Sequence, residues 1–256
     1  MYHIVRRVII GMLILFAMPA MVWASGWLWT PGLNPLILRP FFWVTETVSR
    51  PWGILTTIIL CAWFLWCLRF RFKAAVALVI ILAAAILVGQ YVKDVIKGQV
   101  KEPRPYVAWL GTSHEMDVLE FYAMKGKARG HEVKALIGDD AGLPHWLKKS
   151  WQNDTGYAFP SGHTMFAATW ALLALGLLWP RRHFKTVIFM MSWAVIVMGS
   201  RLMLGMHWPR DLMASVGISG ILVMLACWLT ERFIGPLTPP AVEEQEIAQR
   251  DADGIK

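Results

Sequence analysis

The sequence predicts an all-α integral membrane protein with six transmembrane helices and an external loop region between the third and the fourth. Three observations lead to this prediction. Of the 256 residues, 57% are apolar and only 16% are charged, whereas a soluble domain has about 25% charged residues. The apolar residues are concentrated in six blocks, each close to the ~17–25 residues that cross a bilayer as a helix. Short basic segments flank the blocks, as they do where charge orients a membrane protein.

The six predicted spans follow one another along the chain. They are residues 8–24, 53–68, 74–92, 162–179, 187–206 and 212–229. The first block follows Arg6 and Arg7 and ends at Val22-Trp23-Ala24, so it also resembles a signal peptide with its cleavage site. We favour a retained first span, because six crossings put all the basic flanks on one face of the membrane.

The basic flanks determine the predicted orientation. They contain Arg6 and Arg7, then Arg69, Arg71 and Lys73, then Arg181, Arg182 and Lys185. The positive-inside rule makes their face cytoplasmic and leaves both termini inside. Residues 1–230 then form one membrane-embedded domain with an external loop region at 93–160, and residues 231–256 form a partly disordered cytoplasmic tail. Tryptophans near the block ends are expected at the membrane interfaces: Trp23, Trp27, Trp29, Trp43, Trp52, Trp179 and Trp208.

Charge and cysteine content argue against other classes of protein. The formal net charge is +8, but no basic stripe interleaved with aromatic residues stands in a polar segment, so nucleic acid is not an expected partner. Cys61, Cys67 and Cys227 all lie inside apolar blocks, and their spacing supports neither a disulfide framework nor a zinc site. We interpret them as small buried apolar residues.

Three groups of polar residues emerge on the external face, near the membrane boundary, where function is expected. They are the segment from Lys97 to Pro105, the tetrapeptide Pro160-Ser161-Gly162-His163, and the segment from Ser200 to Asp211. Arg104 and Arg201 carry planar guanidinium groups whose paired N–H donors match the spacing of phosphate oxygens, and Lys97 adds a compact positive charge. Ser161 is a candidate N-cap and Gly162 allows close approach, so free backbone N–H groups can hold an anion at this helix start.

Two histidines complete the predicted site. His207 and Asp211 are four residues apart and share one face of a helix. A carboxylate there fixes the imidazole tautomer and prepares the ring as a nucleophile or base. His163 adds a second imidazole for acid–base work. Taken singly, a Ser-Gly pair is more often a simple helix cap, basic residues beside a span more often determine topology, and a His and an Asp four apart more often lie on a solvated helix face. Their convergence on one face of the membrane favours phosphate chemistry.

The three motifs resemble those of a known family. The first segment matches the pattern KxxxxxxRP, the second matches PSGH, and the third matches SRxxxxxHxxxD. These are, in order, the signature motifs of the type 2 phosphatidic acid phosphatase superfamily, and all eleven specified positions are present. The six predicted spans and the long loop before PSGH extend the resemblance over most of the chain.

The resemblance implies a role for each residue. His207 would attack phosphorus and form a phosphohistidine, Asp211 would orient it, and His163 would protonate the leaving oxygen and then activate water. Five further residues would bind the phosphoryl group: Lys97, Arg104, Ser161, Gly162 and Arg201. Three cations can stabilise a transition state with a charge of about −2 without a metal. The family is magnesium-independent, so no cofactor is expected.

The implied activity is hydrolysis of lipid phosphates at the periplasmic face of the bacterial inner membrane. The expected partners are the membrane itself and phospholipid and isoprenoid substrates: phosphatidylglycerophosphate, phosphatidic acid, lysophosphatidic acid, diacylglycerol pyrophosphate and undecaprenyl pyrophosphate. Two alternatives stay open. A vanadium haloperoxidase shares this constellation, although six spans argue against it. A lipid transporter or flippase without hydrolysis predicts charged residues at mid-span, which residues 74–89 and 187–199 lack.

Overall fold

The structure, a computed structural model, describes residues 2–69, 72–235, 245 and 248–249. Within these ranges the chain forms eleven α-helices and no strand, so the all-helical prediction is confirmed for them. The helices are α1 (Tyr2–Ala24), α2 (Pro35–Glu46), α3 (Trp52–Leu68), α4 (Phe72–Val100), α5 (Pro105–Ser113), α6 (Val118–Ala123), α7 (Gly126–Ile137), α8 (His145–Asn153), α9 (Gly162–Leu173), α10 (Phe184–Met203) and α11 (Pro209–Phe233). A π-helical turn, Ala174–Leu178, continues α9.

All six apolar blocks fall largely within helices. By length and composition, α1, α4, α10 and α11 are long and apolar enough to cross a membrane. Helix α3 and helix α9 with its π-helical turn are apolar but shorter. Helix α4 has 29 residues and extends past the predicted span at 74–92. Lys97 of the first motif therefore stands on the last turns of this helix rather than in a loop.

Helix α9 lies at the centre of the bundle, in contact with α1, α4, α10 and α11. Every residue at 164–178 is buried. Because neighbours surround this helix, it is apolar all round instead of on one face. Small residues allow the neighbours to approach closely. A β-carbon added at Gly11 would clash with Leu175, and one added at Gly220 would clash with Met12.

A layer of four short helices, α5 to α8, covers one end of the bundle and has an apolar core of its own. We call it the cap layer. Trp151 lies at its centre. The Trp151 ring stacks on Tyr106 with 4.9 Å between ring centroids, and its Nε1 donates a hydrogen bond of 3.0 Å to the carbonyl of Leu204. The cap layer is thereby fastened to the link between α10 and α11, which carries part of the third motif.

Two of the predicted interfacial tryptophans have internal roles. Trp29 is only 9% exposed, and its Nε1 donates a hydrogen bond of 3.0 Å to the carbonyl of Met203. Trp208 donates a hydrogen bond of 2.9 Å from its Nε1 to the carbonyl of Pro103. Both indoles therefore join segments of the protein, because each finds an acceptor inside it.

Two further segments, residues 27–52 and the predicted tail at 231–256, also lie outside the six predicted spans. The first of these contains α2, whose N-cap is Asn34 and which packs against α10. The predicted tail at 231–256 overlaps the end of α11. From residue 236 onward it lies outside the described residues, apart from 245 and 248–249.

The helices place the motifs at one end of the bundle and the described residues of the basic flanks at the other. All three motifs lie at the end that bears the cap layer. At the other end, the His183 ring contacts the carbonyl of Cys67 at 3.2 Å, which joins the last turn of α3 to the start of α10. There too, the first turns of α1 meet the π-helical turn, since Gly176 lies within reach of Val8.

Candidate active site

The structure brings every predicted site residue into one region beneath the cap layer. Lys97 comes from the last turns of α4, and Arg104 immediately precedes α5. The remaining members lie at the adjoining ends of three helices: Ser161, Gly162 and His163 at the start of α9, Arg201 near the end of α10, His207 just before α11 and Asp211 in its first turn. Residues remote in sequence thus meet because five helix ends converge.

The proposed nucleophile is held by its proposed partner. Nδ1 of His207 lies 3.2 Å from Oδ2 of Asp211, and both side chains are buried. The same carboxylate oxygen accepts a hydrogen bond of 2.9 Å from the backbone N–H of Trp208, so Asp211 also caps α11. The contact with the carboxylate favours the tautomer with its proton on Nδ1. Nε2 is then the nitrogen with a free electron pair.

The surroundings of His207 keep its ring neutral. Burial lowers the pKa of His207 well below its usual value of 6.5, and the positive charges of Arg104, Arg201 and Lys97 lower it further. A protonated imidazole has no electron pair to offer an electrophile. The low pKa therefore suits this histidine to nucleophilic attack at neutral pH.

The three predicted phosphate-binding cations are held in place by backbone and side-chain acceptors. Lys97 donates from Nζ to the carbonyl of Tyr157 at 2.5 Å. Arg104 donates from Nε to the carbonyl of Gly156 at 2.6 Å. Arg201 donates from Nη1 to Oγ1 of Thr45 at 3.0 Å. Because these contacts fix the side chains, the positive charges are preorganised around one point.

One carboxylate joins the two guanidinium groups. Asp154 accepts two hydrogen bonds from Arg104, of 2.6 and 2.9 Å, and one of 3.1 Å from Nη2 of Arg201. Burial alone would raise the pKa of Asp154, but the charges of Arg104 and Arg201 dominate and hold it well below the usual range. Asp154 is therefore ionised at every physiological pH and takes up donors that an incoming phosphate would need.

The PSGH motif forms the start of α9 as predicted. Oγ of Ser161 accepts from the backbone N–H of Thr164 at 3.3 Å, which confirms the N-cap. A β-carbon at Gly162 would lie 2.7 Å from Cδ of Lys93, so this glycine lets the Lys93 stem pack across the helix start. Nε2 of His163 lies 3.0 Å from Oγ of Ser49.

A second ion pair links the motifs to one another. Nε of Arg210 donates to a carboxylate oxygen of the buried Glu102 at 2.8 Å, and Nη2 of the same arginine reaches the same oxygen. The carbonyl of Glu102 accepts from the backbone N–H of Ala158 at 2.8 Å. Glu102 therefore ties the first motif to the third and to the segment that leads into PSGH.

Sequence reasoning missed three residues of this region. Asp154, Ser49 and Thr45 contact predicted site residues that lie 50, 114 and 156 positions away, respectively. None of the three stands in a motif or at a helical spacing from one. No signal in a single sequence could have found them, because only the folded chain brings them to the site.

A cavity of about 520 Å³ opens onto the site between α3 and α4, and we call it the α3–α4 cavity. Its polar end is formed by predicted site residues: Lys97, Arg104, Gly162, His163 and His207. Its other walls include the apolar side chains of Ile54, Ile86, Leu87 and Phe166. A molecule with a charged head and an apolar body fits such a cavity.

Comparison with known proteins supports the interpretation of the motifs. The PAP2 superfamily model matches residues 74–234, which include all three motifs. The chain is 56% identical over 253 residues to phosphatidylglycerophosphatase B of Escherichia coli (strain K12), covering 99% of this chain and 100% of that protein. It is 30% identical over 237 residues to phosphatidylglycerophosphatase B of Haemophilus influenzae, covering 90% and 94%.

The resemblance inferred from the motifs is thereby confirmed. The family match covers more than half of the chain, and the relatives align with nearly all of it. This protein is a phosphatase that belongs to the PAP2 superfamily.

Proposed function

We propose that this protein is a metal-independent lipid phosphatase that hydrolyses phosphatidylglycerophosphate to phosphatidylglycerol and phosphate through a phosphohistidine. The first substrate is the one that the names of the relatives indicate. Further substrates of the same chemistry are phosphatidic acid, lysophosphatidic acid, diacylglycerol pyrophosphate and undecaprenyl pyrophosphate. All of them combine a terminal phosphate with an apolar tail.

The observation that carries this proposal is the composition of the α3–α4 cavity. His163, His207, Lys97 and Arg104 lie at one end, and the other walls carry apolar side chains together with a few polar ones. The cations would bind the phosphate, whereas the apolar walls would contact the lipid. A water-soluble phosphate would gain nothing from Ile54, Ile86 and Leu87, so this arrangement favours a lipid substrate.

In the first step, Nε2 of His207 attacks phosphorus and the bond from phosphorus to the lipid oxygen breaks. Burial and the charge of Arg201 lower the pKa of His163 in the empty site, and we expect the negative charge of the bound phosphate to favour its protonated form. His163 then donates a proton to the departing oxygen, which leaves as an alcohol. Asp211 keeps the His207 ring oriented while the ring acquires positive charge.

In the second step, His163 is neutral and accepts a proton from water as the water oxygen adds to phosphorus. The bond from phosphorus to Nε2 breaks, and its electron pair returns to His207. Phosphate is released, and His163 is again protonated for the next cycle. One histidine thus serves as acid and then as base, as microscopic reversibility requires.

The phosphoryl oxygens need positive charge and hydrogen-bond donors in both steps. Five residues supply them: Lys97, Arg104, Arg201, the hydroxyl of Ser161 and the backbone N–H of Gly162. Their preorganised donors can stabilise the charge of the transition state without reorganisation during the reaction. Since three cations already balance the phosphoryl charge, we propose that no metal cofactor takes part.

We further propose six membrane spans in a bacterial inner membrane, with both termini in the cytoplasm and the active site facing the periplasm. Residues 1–230 would form the single membrane-embedded domain. The separation of charge supports this orientation, because the basic flanks lie at the end of the bundle away from the motifs. The two shorter apolar helices, α3 and α9, would complete the six spans with the four longer ones.

The test is phosphate release by detergent-purified protein from a panel of lipid phosphates, with excess EDTA present. We expect hydrolysis of phosphatidylglycerophosphate in EDTA and inhibition by orthovanadate, which adopts the five-coordinate geometry of the transition state. His207→Ala should abolish release, whereas exposed His145→Ala should not. Activity restored only by Mg²⁺, or lipid transfer across liposomes without phosphate release, would overturn the proposal.

A further inference from the structure

A second cavity reaches the active site from another direction. It has a volume of about 600 Å³ and lies between the end of α2 and helix α8, so we call it the α2–α8 cavity. Its wall is rich in polar and charged side chains: Glu46, Arg50, Lys149, Ser150, Asn153 and Arg201. Four residues line both cavities: Ser49, Arg50, Asp154 and His163. The site is therefore open on a largely apolar side and on a polar side.

Asp154 stands where the two cavities meet and holds the proposed phosphate ligands. Its carboxylate accepts a bidentate pair of hydrogen bonds from Arg104 and a third hydrogen bond from Arg201. Phosphate recognition by arginine uses the same donors in the same geometry. The carboxylate and a phosphate are both anions, so the two cannot share these donors without strong repulsion. Binding of phosphate requires displacement of Asp154.

The carboxylate has room to move. Asp154 is 36% exposed although its two partners are only 2% exposed. It follows directly on Asn153, the last residue of α8, and belongs to no helix itself. Both cavities border its side chain, so rotation away from the guanidinium groups meets open space. The arginines, in contrast, are fixed by Gly156 and Thr45.

We propose that the Asp154 carboxylate displaces product phosphate from Arg104 and Arg201 and that the phosphate leaves through the α2–α8 cavity. This inference rests on the proposed function, since it concerns the product of that reaction. After hydrolysis, the lipid alcohol remains on the apolar side and phosphate on the polar side. When Asp154 returns, Arg104 and Arg201 regain the hydrogen bonds that they lose as phosphate departs. The cations along the α2–α8 cavity then attract the departing anion.

The competition between Asp154 and phosphate for the two arginines also makes the site selective for a phosphate that is attached to a lipid. A lipid phosphate gains apolar contacts in the α3–α4 cavity that offset the loss of the Asp154 contacts. Free phosphate from water has no such gain, so Asp154 excludes it. The carboxylate therefore limits product inhibition without preventing substrate binding.

The first experiment measures inorganic phosphate binding to purified protein by calorimetry, with no lipid substrate and no turnover. Asp154→Asn keeps the shape of the side chain and removes its charge. We expect the Asn variant to bind inorganic phosphate about ten- to a hundredfold more tightly than wild type, since hydrogen bonds to charged groups are worth that factor. Asp139→Asn is the matched control, because it removes an equal charge from an exposed site, and its affinity should equal that of wild type.

The second experiment follows turnover and holds even if the Asp154 variant is poorly folded. Ser150→Trp narrows the α2–α8 cavity, and His145→Trp places the same side chain at an exposed position of α8 outside the cavity wall. Free phosphate, read with a phosphate-binding sensor, should lag behind total non-covalent phosphate in Ser150→Trp alone. The total is counted after an alkaline quench, which leaves a phosphohistidine intact. Unchanged phosphate affinity in Asp154→Asn, or no lag in Ser150→Trp, would overturn the inference. Because calorimetry needs no reaction, absence of lipid hydrolysis would be recognised separately.

Discussion

Nδ1 of His207 lies 3.2 Å from Oδ2 of Asp211, across one turn at the start of α11. This contact turns Nε2 of the ring away from the carboxylate, and His207 lines the α3–α4 cavity. Asp211 itself does not line that cavity. The carboxylate therefore acts on the reaction only through the histidine that it orients.

Asp211→Asn tests this separation of roles. An amide at this position can present its N–H to Nδ1, which favours the wrong tautomer and removes the negative charge. We expect kcat to fall about 10²- to 10⁴-fold, whereas KM should stay within about threefold, since Asp211 lies outside the cavity. Steady-state kinetics on a lipid phosphate, with Asp139→Asn as control, measure both constants. A rise in KM at unchanged kcat would show that Asp211 contributes to binding instead.

The lowered pKa of His207 predicts how stability varies with pH. An unfolded histidine takes up a proton near pH 6.5, but His207 in the fold takes it up only at lower pH. Below about pH 6.5 the unfolded state thus binds the extra proton, and stability falls as pH falls, by up to about 1.4 kcal/mol per pH unit. The thermal midpoint of wild type in detergent should therefore drop more between pH 7 and pH 5 than that of His207→Gln.

The matched control for this measurement is His145→Gln, because His145 is exposed at the start of α8. Its thermal midpoint should follow the wild-type pH profile. If His207→Gln also follows that profile, His207 titrates as a solvent-exposed ring and is not held neutral by burial.

The sequence predicted the helical blocks and the site motifs well, because both depend on local pattern. The apolar blocks that became α1, α9 and α11 are continuous in sequence, and the PSGH motif shows its own N-cap in Ser161. Helix α2 was missed, because two prolines and several aromatic residues within Pro35–Glu46 obscured its helical pattern.

Long-range contacts were beyond the reach of sequence reasoning. In the sequence, Asp154 is one acidic residue among several in the loop region at 93–160. Its ion pairs form only when folding brings Arg104 and Arg201 together beside it. Trp29 was placed at the interface by its position beside a block, whereas the cap layer buries it. Both cases depend on tertiary packing, which no local pattern encodes.

The proposed six-span orientation predicts the location of reporter fusions. Fusions after Arg182 and at the C-terminus should report the cytoplasm, and a fusion after Gly126 should report the periplasm. Paired reporters, one active only inside and one active only outside, serve as mutual controls. A mature N-terminus near Ser25 would mean that α1 is cleaved and would contradict the six-span orientation.

The most direct test of the central claim is whether phosphate becomes covalently attached to His207. His163→Ala lacks the acid for the first step and the base for the second. With an activated aryl phosphate the leaving group departs without a proton, so phosphorylation should proceed while hydrolysis remains slow. We therefore expect His163→Ala, incubated with ³²P-labelled aryl phosphate and quenched in alkali, to retain an acid-labile, base-stable label. The His163→Ala/His207→Ala double variant should retain none, and equal labelling of both proteins would contradict a phosphohistidine at His207.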